Sequence, residues 1–419
     1  MSDLQKTLLK SKLPKPSTSD LVLPEEKIEE ATSEDSDRGT EEESPTPPSD
    51  VPPAEFAIPE RPSRKQHQQH YKATPWKAYW RDTESLDLST SSPCTFKVYY
   101  TMPTLSPSKS PTWFIFHHGA GSSGLTFSVL AARIHASLPE VGVLAYDARG
   151  HGATRCDEDH QTGTDASLDT LARDFLGIVA HAMRLSSGLP ADSSSPTKPV
   201  EVVFIGHSLG GAVVTEAVRR FTEFWPPGNN LPKPIVSGLV VLDVVEGSAL
   251  EGLGSMRSYL ASRPQYFRSL EDGIRWHVKS HTVRNSVSAS VSVPGIIQLG
   301  ANGRYKWITD LLLTEPFWKS WFVDLSSKFL EARSGKMLVL AGTDRLDKKL
   351  TIGQMQGKYQ LEVLPEVGHF IQEDAPEKLA ALLEQFWHRN RRGAALEIKA
   401  LNTHAALWAS SSATPGRNL

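Results

Sequence analysis

The sequence predicts an α/β fold, a mainly parallel central sheet with helices on both faces and a helical cap insertion over one edge. Three observations predict it. Short β-branched or aromatic runs alternate with helical stretches, the pattern of strands joined by covering helices. The runs are apolar throughout, as in strands buried on both faces. At 200–220 a strand, a tight turn and a helix follow one another without a gap, with Ser208 at the turn.

The elements follow in order. The segment 1–72 is rich in Ser, Pro, Glu and Asp, cannot bury enough apolar surface to offset its ordering entropy, and reads as a disordered leader. Its functional alternative is a docking or phosphorylated tail. A catalytic domain is expected over 73–392, with Pro75, Trp76, Tyr79 and Trp80 as core anchors. Strands are expected at Phe96–Thr101, Trp113–Phe116, Val141–Tyr146, Val200–Ile205, Gly238–Asp243, Lys336–Ala341 and Tyr359–Leu364. Helical spacing runs through Phe127, Leu130, Ala131 and Ile134, then through Leu168, Leu171, Phe175, Ile178, Val179 and Ala182. It returns at Ala212–Arg220 and at Leu379, Leu382, Leu383 and Phe386. The Ser/Pro-rich stretch 186–199 reads as a flexible surface loop. The interval 246–335 is too long for a loop, and helical patterns at Trp307–Leu313 and Phe317–Leu330 make it a cap. The stretch 393–419 reads as a low-order tail.

Composition excludes several functions. A net charge of -3 argues against a nucleic-acid binder and a polybasic membrane anchor. No apolar run approaches the roughly 18–20 residues of a membrane span, and the amino terminus has no signal-peptide core. The two cysteines, Cys94 and Cys156, give no disulfide framework and no metal-ligand cluster, which suits a reducing, cytoplasmic or nuclear compartment. The adjacent His117 and His118 lack the spacing of a metal site, and no Gly-x-Gly-x-x-Gly follows the first strand, so no metal or cofactor is expected.

The chemistry gathers around Gly206, Ser208 and Gly210, a Gly-x-Ser-x-Gly between strand and helix that reads as a nucleophile elbow. Glycines are required there because side chains would collide with the turn, and the helix amino terminus favours negative charge at the serine. Ser208 is the expected nucleophile. His369, in the loop after the last strand, is the expected base. The orienting acid is open between Asp243, at the end of the strand after the elbow, and Asp344 or Asp347 after the next strand. Oxyanion donors are expected from the N–H of Leu209 and of Ala120 or Gly121 in the glycine-rich turn after His117-His118-Gly119. Arg149 and His151, in Asp147–Gly152, read as structural.

Several longer strings extend the pattern. They are Asp243-Val244-Val245-Glu246-Gly247, Ser255-Met256, Arg263-Pro264, Phe267–Glu271 and Arg284-Asn285. Leu340–Lys348, Leu350–Lys358 with its Thr-Ile-Gly-Gln-Met-Gln-Gly-Lys, and Val367–His369 with Glu373–Pro376 complete them. Over roughly Pro75 to Arg391 the chain resembles the protein phosphatase methylesterases. The leader, the 186–199 loop and the tail depart from that pattern. The resemblance implies an α/β-hydrolase that removes the methyl ester from the carboxyl-terminal leucine of the type 2A protein phosphatase catalytic subunit. It implies the triad Ser208, Asp243 and His369, demoting Asp344 and Asp347. It also implies the phosphatase as a folded partner that the enzyme can hold inactive. A general small-ester hydrolase or lipase, and a binding protein acting mainly as a phosphatase inhibitor, are the other readings. An intact triad speaks against the latter.

Overall fold

The computed structural model describes residues 71–391, apart from 89–91, 106–109, 157–164, 188–199, 226–230, 232 and 343–345. The leader, the 186–199 loop and the tail, save for a few residues at their ends, lie outside the described residues, as does Asp344.

The strands are β1 (Asp82–Asp87), β2 (Cys94–Thr101), β3 (Thr112–His117), β4 (Val141–Tyr146), β5 (Arg155–Cys156), β6 (Glu201–His207) and β7 (Ile235–Leu242). A separate hairpin, β8 (Ile297–Leu299) and β9 (Tyr305–Trp307), precedes β10 (Gly335–Leu340) and β11 (Gln360–Val363). The main sheet runs β1-β2-β4-β3-β6-β7-β10-β11, with β5 on the edge of β2. From β4 to β11 every pairing is parallel, whereas β2 pairs antiparallel with β1, β4 and β5. Parallel strands end together. The loops after β3, β4, β6, β7, β10 and β11 therefore meet at one carboxyl edge, where open α/β sheets bind ligands.

Why these runs are strands is visible in their alternation. Trp113 and Ile115 of β3 and Val202 and Phe204 of β6 enter one core, and Phe114, Phe116, Val203 and Ile205 enter the other. Successive side chains of a strand point to opposite faces, so apolar residues at every position need a cover on both. Helices Leu168–Ser187 and Leu209–Arg219 cover the first face, and helices Ser128–Ser137 and 376–391 the second. All six apolar residues expected to line helix Leu168–Ser187 are buried.

Two expectations are corrected. Trp307–Leu313 is not a helix. It is the end of β9 followed by the 3₁₀ helix Leu311–Phe317, which contains Pro316, a residue without an N–H to donate. Phe317–Leu330 divides into helices Trp318–Phe322 and Leu325–Glu331, with Asp324 in a left-handed conformation between them. Both pack on the first core.

The cysteine reading is corrected too. Cys94 and Cys156 form a disulfide, because β5 pairs with β2 in the register that sets them opposite each other. Among the described residues no helix is long and apolar enough to cross a membrane.

Candidate active site

Strand β6 runs straight into Ser208, which adopts φ 53°, ψ −120°, a conformation L-residues rarely take. Holding it costs roughly 1–3 kcal/mol, and the surroundings supply the constraint. The Ser208 N–H donates to Leu242 O at 2.9 Å, and helix Leu209–Arg219 starts at the next residue. The turn closes only around glycine. A methyl group at Gly206 would overlap the carbonyl of Gly210, and one at Gly210 would overlap the carbonyl of His117. Leu209 is the first helical residue, so its N–H has no acceptor within the helix and faces the carboxyl edge of the sheet.

Asp243 follows β7 directly, also at positive φ (50°). Its N–H donates to Val339 O, which fixes it beside β10. One carboxylate oxygen accepts the N–H of Ala341 at 2.9 Å, and the other meets His369 Nδ1 at 2.8 Å. A ring nitrogen facing a carboxylate carries the proton, so Nε2 is left as the basic atom. The Asp243 side chain is fully buried, while that of His369 is 36% exposed. His369 and Ser208 line one cavity of about 760 Å³, together with Gly119, Ala120 and Gly121.

Neutral histidines position the glycine-rich turn. His118 Nδ1 donates to Gly119 O at 2.8 Å, and its Nε2 accepts the N–H of Ala148 at 2.9 Å. His151 Nδ1 donates to Arg149 O, and its Nε2 accepts the N–H of Gly121 at 2.9 Å. Burial holds His118 well below its ordinary pKa and pushes His151 down to about 4, so both keep the acceptor nitrogen these contacts need. Gly121 thus has its N–H engaged, which leaves Ala120 as the candidate second oxyanion donor. Arg149 makes a buried two-point contact with Asp174 at 2.9 and 3.0 Å and reaches Ser92. Its contacts, like those of His151, are structural.

The family model of alpha/beta hydrolases matches residues 114–382. Protein phosphatase methylesterase 1 of Gibberella zeae is 47% identical over 324 residues, 76% of this chain and 75% of that one. The same-named protein of Schizosaccharomyces pombe is 45% identical over 278 residues, 66% of this chain and 74% of that one. The chain belongs to the protein phosphatase methylesterase family of α/β-hydrolases. It is a carboxylic ester hydrolase of that family. Among solved structures, the fold is shared with E-2-(acetamidomethylene)succinate hydrolase. That likeness has a TM-score of 0.54 at 17% identity and covers 73% of this chain and 98% of the other. The peroxisomal α/β-hydrolase Lpx1 of Saccharomyces cerevisiae gives a TM-score of 0.53 at 16% identity, covering 77% and 92%.

Of the acids open in the sequence, Asp243 is the one bonded to His369. Asp347 instead caps helix Lys348–Met355, accepting the N–H of Leu350 at 2.9 Å and the hydroxyl of Ser326. Two positioning residues were not foreseen. His207, within the elbow string itself, donates from Nε2 to His369 O at 2.8 Å. Burial pushes its pKa down to about 3, so the ring stays neutral. A partner 162 positions away gives a single sequence no local signal.

The other is Glu373, four residues after His369. Its carboxyl takes the hydroxyls of Thr126 (2.5 Å) and Ser292 (2.6 Å), tying the histidine loop to helix Ser286–Ser292 of the insertion. Burial pushes its pKa up from 4.5 to about 8, with Asp374 adding to the rise and the two hydroxyls opposing it. The folded protein keeps the proton that the unfolded chain loses near 4.5, so this group costs stability as pH rises from about 4.5 to about 8. Each pH unit in that window costs at most about 1.4 kcal/mol. Glu373→Gln removes the titration and keeps a donor and an acceptor. Thermal melts across pH 4–9 should show the variant gaining on wild type through that window and level above it. Parallel curves would refute the assignment.

Proposed function

We propose that the chain removes the methyl group from the esterified carboxyl-terminal leucine of the type 2A protein phosphatase catalytic subunit, through a Ser208–His369–Asp243 acyl-enzyme. One observation carries the reading. The buried Asp243 carboxylate holds His369 at 2.8 Å on the wall that it shares with Ser208, in a chain 47% identical to a protein phosphatase methylesterase.

In this mechanism His369 Nε2 takes the Ser208 hydroxyl proton as Oγ attacks the ester carbonyl carbon. The oxyanion lies against the N–H groups of Leu209 and Ala120, each such donor contributing about 2.7–4 kcal/mol to the transition state. Asp243 fixes the imidazole tautomer and stabilises the imidazolium. Collapse breaks the carbonyl carbon–methoxy bond, and the His369 proton leaves with methanol. Water then gives a proton to His369 and its oxygen to the acyl carbon. Ser208 recovers its proton, and the tail leaves as a free carboxylate. The phosphatase is therefore both substrate and protein partner, and its tail enters the cavity end first.

The test compares a leucine-terminated peptide methyl ester with a small methyl ester that lacks peptide bonds, and with a small activated acetate ester. We expect kcat/KM to favour the peptide ester over the small methyl ester by roughly 10⁴-fold, the discrimination a site built to hydrogen-bond its substrate shows against an analogue without those groups. Cleavage of small esters alone would return the general-esterase reading. Phosphatase binding with neither cleavage would return the inhibitor.

A further inference from the structure

The insertion supplies the far wall of the cavity, and there the two arginines of the lining differ. Arg284 is committed, its guanidinium donating to Glu366 O at 2.6 Å and its N–H to Asp374 at 2.7 Å. Arg263, which follows helix Glu246–Ser262, is not. Its guanidinium lies 4.3 Å from the Trp307 ring centroid and 5.9 Å from that of Tyr259, and its Nε is buried without a hydrogen-bond partner. Trp307 is itself fixed, its indole N–H donating to Pro264 O at 2.8 Å. Among the described residues no carboxylate lies within ion-pair distance of Arg263. Burial pushes its pKa below the ordinary arginine value, with Tyr259 and Asp310 opposing the shift.

A buried guanidinium N–H without an acceptor is costly to keep, unless a ligand provides one. The stacking on Trp307 also holds the guanidinium fork in one plane, where little freedom is left to lose on binding. We propose that Arg263 is a specificity residue of the cavity, its guanidinium taking an oxygen acceptor of the substrate peptide upstream of the ester. This rests on the peptide-ester reading above. The scissile ester is neutral and lies at Ser208, so the acceptor belongs to the rest of the tail. It is a side-chain carboxylate or a main-chain carbonyl.

The test uses two leucine methyl ester peptides, one with an acidic residue upstream and one with the matching amide, against wild type, Arg263→Met and Arg263→Lys. A charge-assisted hydrogen bond is worth about 1.5–3 kcal/mol, or roughly 10- to 150-fold. Arg263→Met should raise KM for the acidic peptide by that factor with kcat within about threefold. Arg263→Lys, which keeps charge but not the fork, should fall between. If the amide peptide abolishes the difference between wild type and variant, the acceptor is the carboxylate. If the difference persists, it is a main-chain carbonyl. A loss confined to the acidic peptide, or shared by both peptides while a small methyl ester without peptide bonds keeps its wild-type kcat/KM, is a readout that a purely structural arginine would not give. Unchanged KM in both variants, with wild type cleaving the peptide ester, would overturn the inference alone. No cleavage by wild type would overturn the peptide-ester reading and the inference with it. Should Arg263→Met fail to fold, the Lys variant with the two peptides decides in its place.

Discussion

Asp243→Asn should lower kcat on a leucine methyl ester by about 10⁴-fold, whereas Asp347→Asn should leave it within a few-fold. The first figure is the loss seen when the orienting carboxylate of a serine triad becomes an amide. The physical cause is the tautomer. Asp243 presents an acceptor to His369 Nδ1 at 2.8 Å and uses its other oxygen for the N–H of Ala341. An asparagine that keeps the Ala341 contact turns its NH₂ toward Nδ1, which moves the imidazole proton to Nε2 and removes the base. Asp347 caps a helix and meets Ser326, and asparagine is an equally good cap. Steady-state kinetics with melting curves decides the matter. A large kcat loss in Asp347→Asn with little in Asp243→Asn would reverse the assignment.

Gly210→Ala should cost at least about 4 kcal/mol, the range of exceptional single substitutions. A methyl there overlaps the His117 carbonyl at the end of β3 and lies close to His118 O, so backbone must move in a strand buried on both faces. Gly254→Ala is the control. Gly254 is exposed in helix Glu246–Ser262 with open space around it, so alanine there gains roughly 0.5–1 kcal/mol. The comparison is made by denaturant melts, or by soluble yield if Gly210→Ala does not fold. A Gly210→Ala protein as stable as wild type would mean the elbow is looser than its geometry.

Much of the fold was legible because the signal was local. Val141–Tyr146 is read to the residue, since both its faces are apolar and its ends are sharp. The elbow needs only five positions. What was not legible depends on distant partners. Strand β1 is polar and edge-exposed, and becomes a strand only by pairing with β2, Leu86 opposite Phe96. The disulfide depends on the register between β2 and a two-residue strand 62 positions away. Residues alone left the acid open, because Asp243 and Asp347 both follow strands that end on the same edge. The contact with His369 separates them, with the family strings pointing the same way. Arg263 stood in the sequence only as part of a string. Its unpaired Nε is a property of the folded cavity.

The most direct measurement takes carboxymethylated type 2A phosphatase catalytic subunit and follows its methyl group in the presence of wild type or Ser208→Ala. The account predicts complete loss with wild type and, with the variant, a rate lower by about 10⁶-fold, the scale on which a serine triad fails without its nucleophile. The variant should still bind the phosphatase. Methyl loss at comparable rates from both would contradict Ser208 as nucleophile. A methyl group that survives wild type would contradict the proposed substrate.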